Sequence, residues 1–112
     1  MIFITQGRYT REAMAGMVAN PEDRAKETRR IVEAAGGKHV ASYFTFGEFD
    51  FMDIVEFDDV GAVTPVLIAA AAGGSLAELR TTIAMPWDEA REDFATARKL
   101  AKSFRSAGGG KK

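Results

Sequence analysis

An α+β fold, with a four-stranded antiparallel sheet, two crossover helices on one face and an extra C-terminal helix, is predicted by three features of the sequence. The hydrophobic periodicities run in the order β-α-β-β-α-β, with one more helical period at the end. Glycine pairs at 36–37 and 73–74 each close a helical segment, because glycine takes the left-handed conformation past a helix end without steric penalty. Between them, "YFTFGEFDFMDIVEF" (43–57) reads as a tight hairpin turning at Gly47-Glu48.

Each element follows in order. "IFITQG" is a short strand. Thr10 is placed as an N-cap, with Ala13, Met14, Met17 and Val18 on an apolar face. "NPED" at 20–23 restarts the helix: Asn20 caps, Pro21 suits the first helical position, and two acids favour the positive N-terminal end. Ala25, Thr28, Val32 and Ala35 continue the stripe, with Ile31 beside it, so one bent or two-part helix is expected. His39–Phe46 and Phe49–Phe57 form the hairpin strands. The second is apolar on both faces, which predicts a central strand covered on both sides. Asp58-Asp59 starts the next helix, expected to kink near Pro65; from Val60 to Ala72 it carries no charge, so burial on more than one side is expected. "LAELRTTIAM" (76–85) is the fourth strand, ended by Pro86. Asp88 then caps a helix with the stripe Ala90, Phe94, Ala97, Ala101 and Phe104. This is the split βαβ, ferredoxin-like arrangement. It predicts a domain over residues 1–87, a C-terminal helix packed on it over 88–105, and a flexible Gly/Lys tail over 106–112.

Composition narrows the class. A chain of 112 residues, 46% hydrophobic and 28% charged, suits one globular domain with a modest core. There is no cysteine, which removes disulfides, thiolate metal sites and cysteine nucleophiles together and favours a reducing cytoplasm. The uncharged stretch Val60–Ala77 is broken by Pro65 and Gly73-Gly74 and falls short of the roughly 20 apolar residues of a membrane span. The N-terminus lacks the basic start and long apolar run of a signal peptide, so a soluble protein is expected. Residues 98–112 hold six cations (Arg98, Lys99, Lys102, Arg105, Lys111, Lys112) and no acid, leaving nine basic residues against sixteen acidic in the rest. Cations there complement a helix dipole and solubilise a tail; a polyanion-binding arm is the weaker alternative, and nucleic acid is not the expected partner.

A ferredoxin-like sheet leaves one face bare. With both faces of the hairpin strand apolar, a second copy is the simplest cover, which predicts a homodimer or larger homo-oligomer. The C-terminal helix is the competing cover.

The motifs "QGRYT", "NPEDR" ending in Arg24, Gly36-Gly37, "YFTFGEFDF", "EFDD" and "LAELRTTIAM" together resemble the GYD domain family of small bacterial proteins, over Ile2 to about Glu89. The Gly-x-Tyr-Asp-like signature reads Gly47-Glu48-Phe49-Asp50, so no role can rest on that phenol hydroxyl here. The resemblance implies a ferredoxin-like fold related to dimeric α/β-barrel proteins, a superfamily of cofactor-free monooxygenases, haem-handling enzymes, isomerases and ligand-binding or regulatory modules. Fold alone does not choose among them.

Few residues qualify as site candidates. Gly47 and Asp50 read as structural parts of the turn, Asp50 accepting backbone N–H bonds. Asp53 is expected on the open sheet face with Phe51 and Val55, paired with Arg80, because a lone charge there is costly. Tyr43 and His39 are further ligand-binding candidates, His39 being the sole histidine and expected near the surface. One histidine without cysteine argues against zinc; neither metal nor cofactor is expected. The leading expectation is a homo-oligomeric, small-ligand-binding or regulatory module. The alternative is a small cofactor-free monooxygenase- or isomerase-like enzyme, and the third a polyanion-binding adaptor acting through the basic C-terminus.

Overall fold

A computed structural model describes residues 1–108. Its elements are β1 (Ile2–Tyr9), α1 (Arg11–Ala19), α2 (Arg24–Ala34), β2 (Lys38–Phe44), β3 (Phe51–Glu56), α3 (Val60–Ala72), β4 (Leu76–Ala84) and α4 (Trp87–Ala101). The strands form one antiparallel sheet in the order β2-β3-β1-β4, which is the ferredoxin-like arrangement with an added helix. The expected tail falls mostly on residues 109–112, outside the described residues.

Caps explain most boundaries. The Thr10 hydroxyl accepts from the Ala13 N–H, and Asp59 does the same for Ala62. The two-part helix splits at Asn20–Asp23, where Asp23 rather than Asn20 caps α2 by accepting from the Ala25 N–H. Asn20 instead ends α1, its N–H donating to the Gly16 carbonyl. Past α2, Gly36 has φ +86°, and the Gly36 and Gly37 N–H groups return to the Glu33 and Val32 carbonyls. Two donors thereby satisfy carbonyls that the helix end would leave bare.

Register decides which face each strand residue takes. Phe3 pairs with Val55, Thr5 with Asp53 and Gly7 with Phe51, while Thr81 lies across from Thr5 and Leu79 from Gly7. On this face Phe3, Val55 and Phe57 meet Val32 of α2 and Val63 of α3 to form the core, with Phe3 only 1% exposed. Phe3 and Phe57 touch edge to face at 6.5 Å. The opposite face carries Ile4, Gln6, Met52, Ile54 and Tyr43, with Arg80 and Thr82 of β4, and no helix covers it.

Three expectations need correction. Asp53 lies on the helix side, because Phe51 and Val55 are the residues buried beneath the helices. Burial of α3 on several sides does not occur either. Val63 is its one buried residue and Ile68 stands exposed; the outward alanines carry little apolar area, and alanine favours helix without needing cover. Nor is α4 packed on its own chain. It has no buried residue, and Trp87, Phe94 and Leu100 are exposed. The described chain measures 61 × 31 × 23 Å with a radius of gyration of 18.5 Å, against about 13 Å for a compact chain of this length.

Two glycines give opposite predictions. A Cβ on Gly7 would lie 2.4 Å from the Glu78 carbonyl and 2.6 Å from the Phe51 ring, whereas one on Gly16 would meet nothing within 4 Å. Gly7→Ala should lower Tm sharply by prising β1 from β4. Gly16→Ala, inside α1, should stabilise by about 0.5–1 kcal/mol. Thermal melts of the two variants give the Tm changes, and urea melts give the matching free-energy changes of opposite sign.

Candidate functional site

Between the sheet and the helices lies a cavity of about 280 Å³, walled by Ile31, Val66, Leu67 and Leu79 with Thr5, Tyr9, Arg24, Thr28 and Asp53 at its polar end. A second hollow, about 400 Å³, continues toward Met14, Met17 and Ser42 and shares Tyr9, Arg24, Thr28, Phe51 and Asp53 with the first. Those shared groups mark where the two spaces meet.

Local structure explains why the polar groups converge. Tyr9 ends β1, and its ring lies against Phe51 at 5.1 Å. The Tyr9 N–H donates to Asp50 Oδ2 at 3.0 Å, and the Asp50 N–H donates to the Gly7 carbonyl at 2.8 Å. Asp50 thus ties the β2–β3 turn to the end of β1 and holds Tyr9 at the cavity mouth. Thr45 closes the same turn, its hydroxyl donating to the Phe49 carbonyl at 2.6 Å and its N–H to that of Asp50 at 2.8 Å. Gly47 sits in the turn at φ +142°. Arg24 opens α2, directly after the Pro21–Asp23 break, so the split between α1 and α2 delivers its guanidinium to Tyr9. It also approaches Glu22 at 3.5 Å.

Asp53 is the chemically distinctive member. Ser42 of β2 donates its hydroxyl to Asp53 Oδ1. Burial pushes the Asp53 carboxyl above the ordinary aspartate range, with Ser42, His39 and Arg24 opposing that rise. Burial also raises the Tyr9 phenol, against the pull of Arg24. A carboxyl that keeps its proton more readily than usual can donate a hydrogen bond to a carbonyl or accept a proton from a bound acid. Beneath it, Thr5 and Thr81 share a hydroxyl contact of 3.1 Å.

The candidates read from sequence therefore separate. Asp53 is in the cavity. Arg80 is on the other side of the sheet, 2.9 Å from Glu78 and 5.8 Å above the Phe49 ring; the expected Asp53–Arg80 pair is not formed, because strand alternation puts them on opposite faces. Tyr43 shares that open face by alternation and is 59% exposed, although it also borders the second hollow beside Ser42. His39 is not a surface residue: it faces the helix side opposite Val55, and both ring nitrogens are buried without a hydrogen-bond partner. The residues that sequence reasoning passed over are Tyr9, Arg24 and Ser42. Two of them stood inside quoted motifs, "QGRYT" and "NPEDR", where a tyrosine and an arginine next to helix starts were the available signal. Among the described residues no three His, Cys, Asp or Glu side chains gather as a metal site, and no helix is long and apolar enough to cross a membrane.

The GYD domain pattern matches residues 3–94, nearly the whole sheet-and-helix unit and half of α4. The chain belongs to the GYD domain family. A curated relative, the "Glutamine synthetase and cystathionine beta-lyase binding protein" of Thermus thermophilus, is 33% identical over 75 residues, spanning 66% of this chain and 78% of that protein. In this GYD domain the signature segment 47–50 acts through backbone and carboxylate contacts, and its Phe49 ring serves as a platform for Arg80.

The raised Asp53 carboxyl has a pH consequence. A folded-state pKa above the unfolded one stabilises the protein fully at pH below the unfolded value and is lost as pH rises through the folded value. Asp53→Asn keeps an acceptor for Ser42 but cannot ionise. Its Tm should exceed that of the wild type at neutral pH, and the gap should close as pH falls below the ordinary aspartate range near 4. Thermal melts from pH 3 to 8 check the sign.

Proposed function

We propose that this GYD protein is a homo-oligomeric, cytoplasmic binding module that holds a small, largely apolar ligand between its sheet and helices and regulates a partner protein. The observation that carries the reading is the cavity itself: apolar walls with polar groups gathered at one end, the usual make-up of a ligand site. Asp53, Tyr9 and Arg24 would orient one polar group of the ligand, and Val66 and Leu67 would enclose its apolar body. The relative named as an enzyme-binding protein supports a role exerted through partners. Copies would associate through the open sheet face, where Ile4, Met52 and Ile54 lie between the charged pairs Lys38–Glu56 and Arg8–Glu78.

A second reading is favoured by the proton-retaining carboxyl. With Asp53 beside a phenol and a guanidinium, the same cavity suits cofactor-free proton-transfer chemistry on a bound carbonyl compound. Arg80 has no part in it.

Filling the cavity separates ligand binding from surface adhesion. Val66→Trp should retain the fold at a cost of about 1–3 kcal/mol and abolish binding of the apolar fluorophore 1-anilinonaphthalene-8-sulfonate. Equal fluorescence from both proteins would place the dye elsewhere and sink the cavity reading. Independently, Ile54→Arg should convert the oligomer to monomers in light scattering at micromolar concentration, because an unpaired charge would have to be desolvated in the contact.

A further inference from the structure

α4 leaves an ordered apolar stripe uncovered. Trp87 and Phe94 are 82% and 66% exposed, although they fall with Ala90, Ala97 and Ala101 into one helical seam spaced by alternating steps of three and four residues; Phe104, which the sequence pattern would add, lies past the helix end at Ala101. That spacing is the one that seats a helix against a second helix along its length. Pro86, immediately after Met85, starts the helix, so only two residues separate it from the end of β4, and the chain extends to 61 Å as a result.

The charges flanking the seam identify what fits it. Arg91 and Arg98 border one side, and Asp93 and the exposed Leu100 border the other. None of Glu89, Glu92, Asp93, Arg98, Lys99 and Lys102 has an opposite charge three or four residues away in its own helix. Acids early and cations late suit the helix dipole, but the dipole explains neither the lateral division nor the bare aromatic stripe. A parallel copy of the same helix explains both. In that orientation the acid-bearing flank of each helix meets the arginine-bearing flank of the other, so Asp93 lies five residues before the Arg98 it faces, the spacing of interhelical ion pairs in parallel coils. An antiparallel pair would instead bring arginine flank against arginine flank.

We infer that α4 is a self-association arm, which pairs in parallel and in register with α4 of a second copy of this chain through Phe94, Ala97 and Ala101. The contact is isologous, each helix presenting the same stripe to the other. Two heptads cover less than the roughly 1,600 Å² of a standard interface, so the arm adds to another contact between copies and does not replace it.

The absence of cysteine makes the test clean. Ala97→Cys, on the seam, should oxidise to a disulfide-linked dimer of the full-length protein, since in-register copies bring this position beside itself. Thr96→Cys, on the opposite side of the helix, should remain monomeric on a non-reducing gel. Asp93→Arg should weaken the Ala97→Cys cross-link several-fold, and adding Arg98→Asp should restore it by exchanging the two charges. No cross-link from Ala97→Cys, equal cross-linking of both cysteines, preferential linking of Phe94→Cys to Ala97→Cys as in an antiparallel pair, or no rescue by the charge exchange would each overturn the proposal. Circular dichroism, expected to show wild-type helix content in every variant, separates loss of pairing from loss of the helix. Ile54→Arg is scored apart, by mass under reducing conditions, so loss of the sheet contact is not mistaken for loss of the arm.

Discussion

Phe3, Val55 and Phe57 can leave water only if α2 and α3 lie across them, and that need organises the domain. Val32 and Val63 supply the covering side chains, one from each helix. The two crossovers are thereby fixed to the same side of the sheet, and β1 and β3, which carry most of the buried residues, take its centre. Small residues make the close approach workable. Gly37 has the Phe57 ring against it and Gly7 the Phe51 ring, neither with room for a Cβ.

The same layer contains the candidate site, and the two demands conflict. Asp53 occupies a position flanked by Phe51 and Val55, where a valine would pack better. Burial there raises the cost of ionising the carboxyl, and the Ser42 hydroxyl, His39 and Arg24 offset only part of it. Groups placed against stability in this way are characteristic of functional sites. The unsatisfied imidazole of His39, on the same side of the sheet, adds a second polar group that packing alone does not explain.

Much of this was legible in the sequence, for identifiable reasons. Glycine pairs, Thr10 and Asp59 mark helix ends by local chemistry, and local chemistry survives folding. The family resemblance rested on the same kind of local motif. Which face of β3 turns inward was not legible, because Phe51 and Val55 on one side and Met52 and Ile54 on the other are both apolar. Alternation specifies two sets without saying which set the helices cover. Choosing wrongly moved Asp53 to the open face and created a partnership with Arg80. The α2 start was misplaced for a related reason: Asn20 and Asp23 are both good caps by residue type, and it is Asp23 that accepts from the Ala25 N–H while Asn20 closes α1. The exposure of α4 lay beyond a reading that assumes each apolar stripe finds cover within its own chain.

The pairing of β2 with β3 shifts between His39 and Ala41, leaving Val40 as an extra residue, half-exposed at the sheet edge. Because of that shift His39 and Ser42, three positions apart, face the same side. A strand lacking Val40 would place them two apart and reach the same facing by simple alternation. The edge strand therefore has two lengths that present identical chemistry to the cavity. Loss of Val40 would leave His39 and Ser42 turned toward the cavity, with the rest of the pairing in frame.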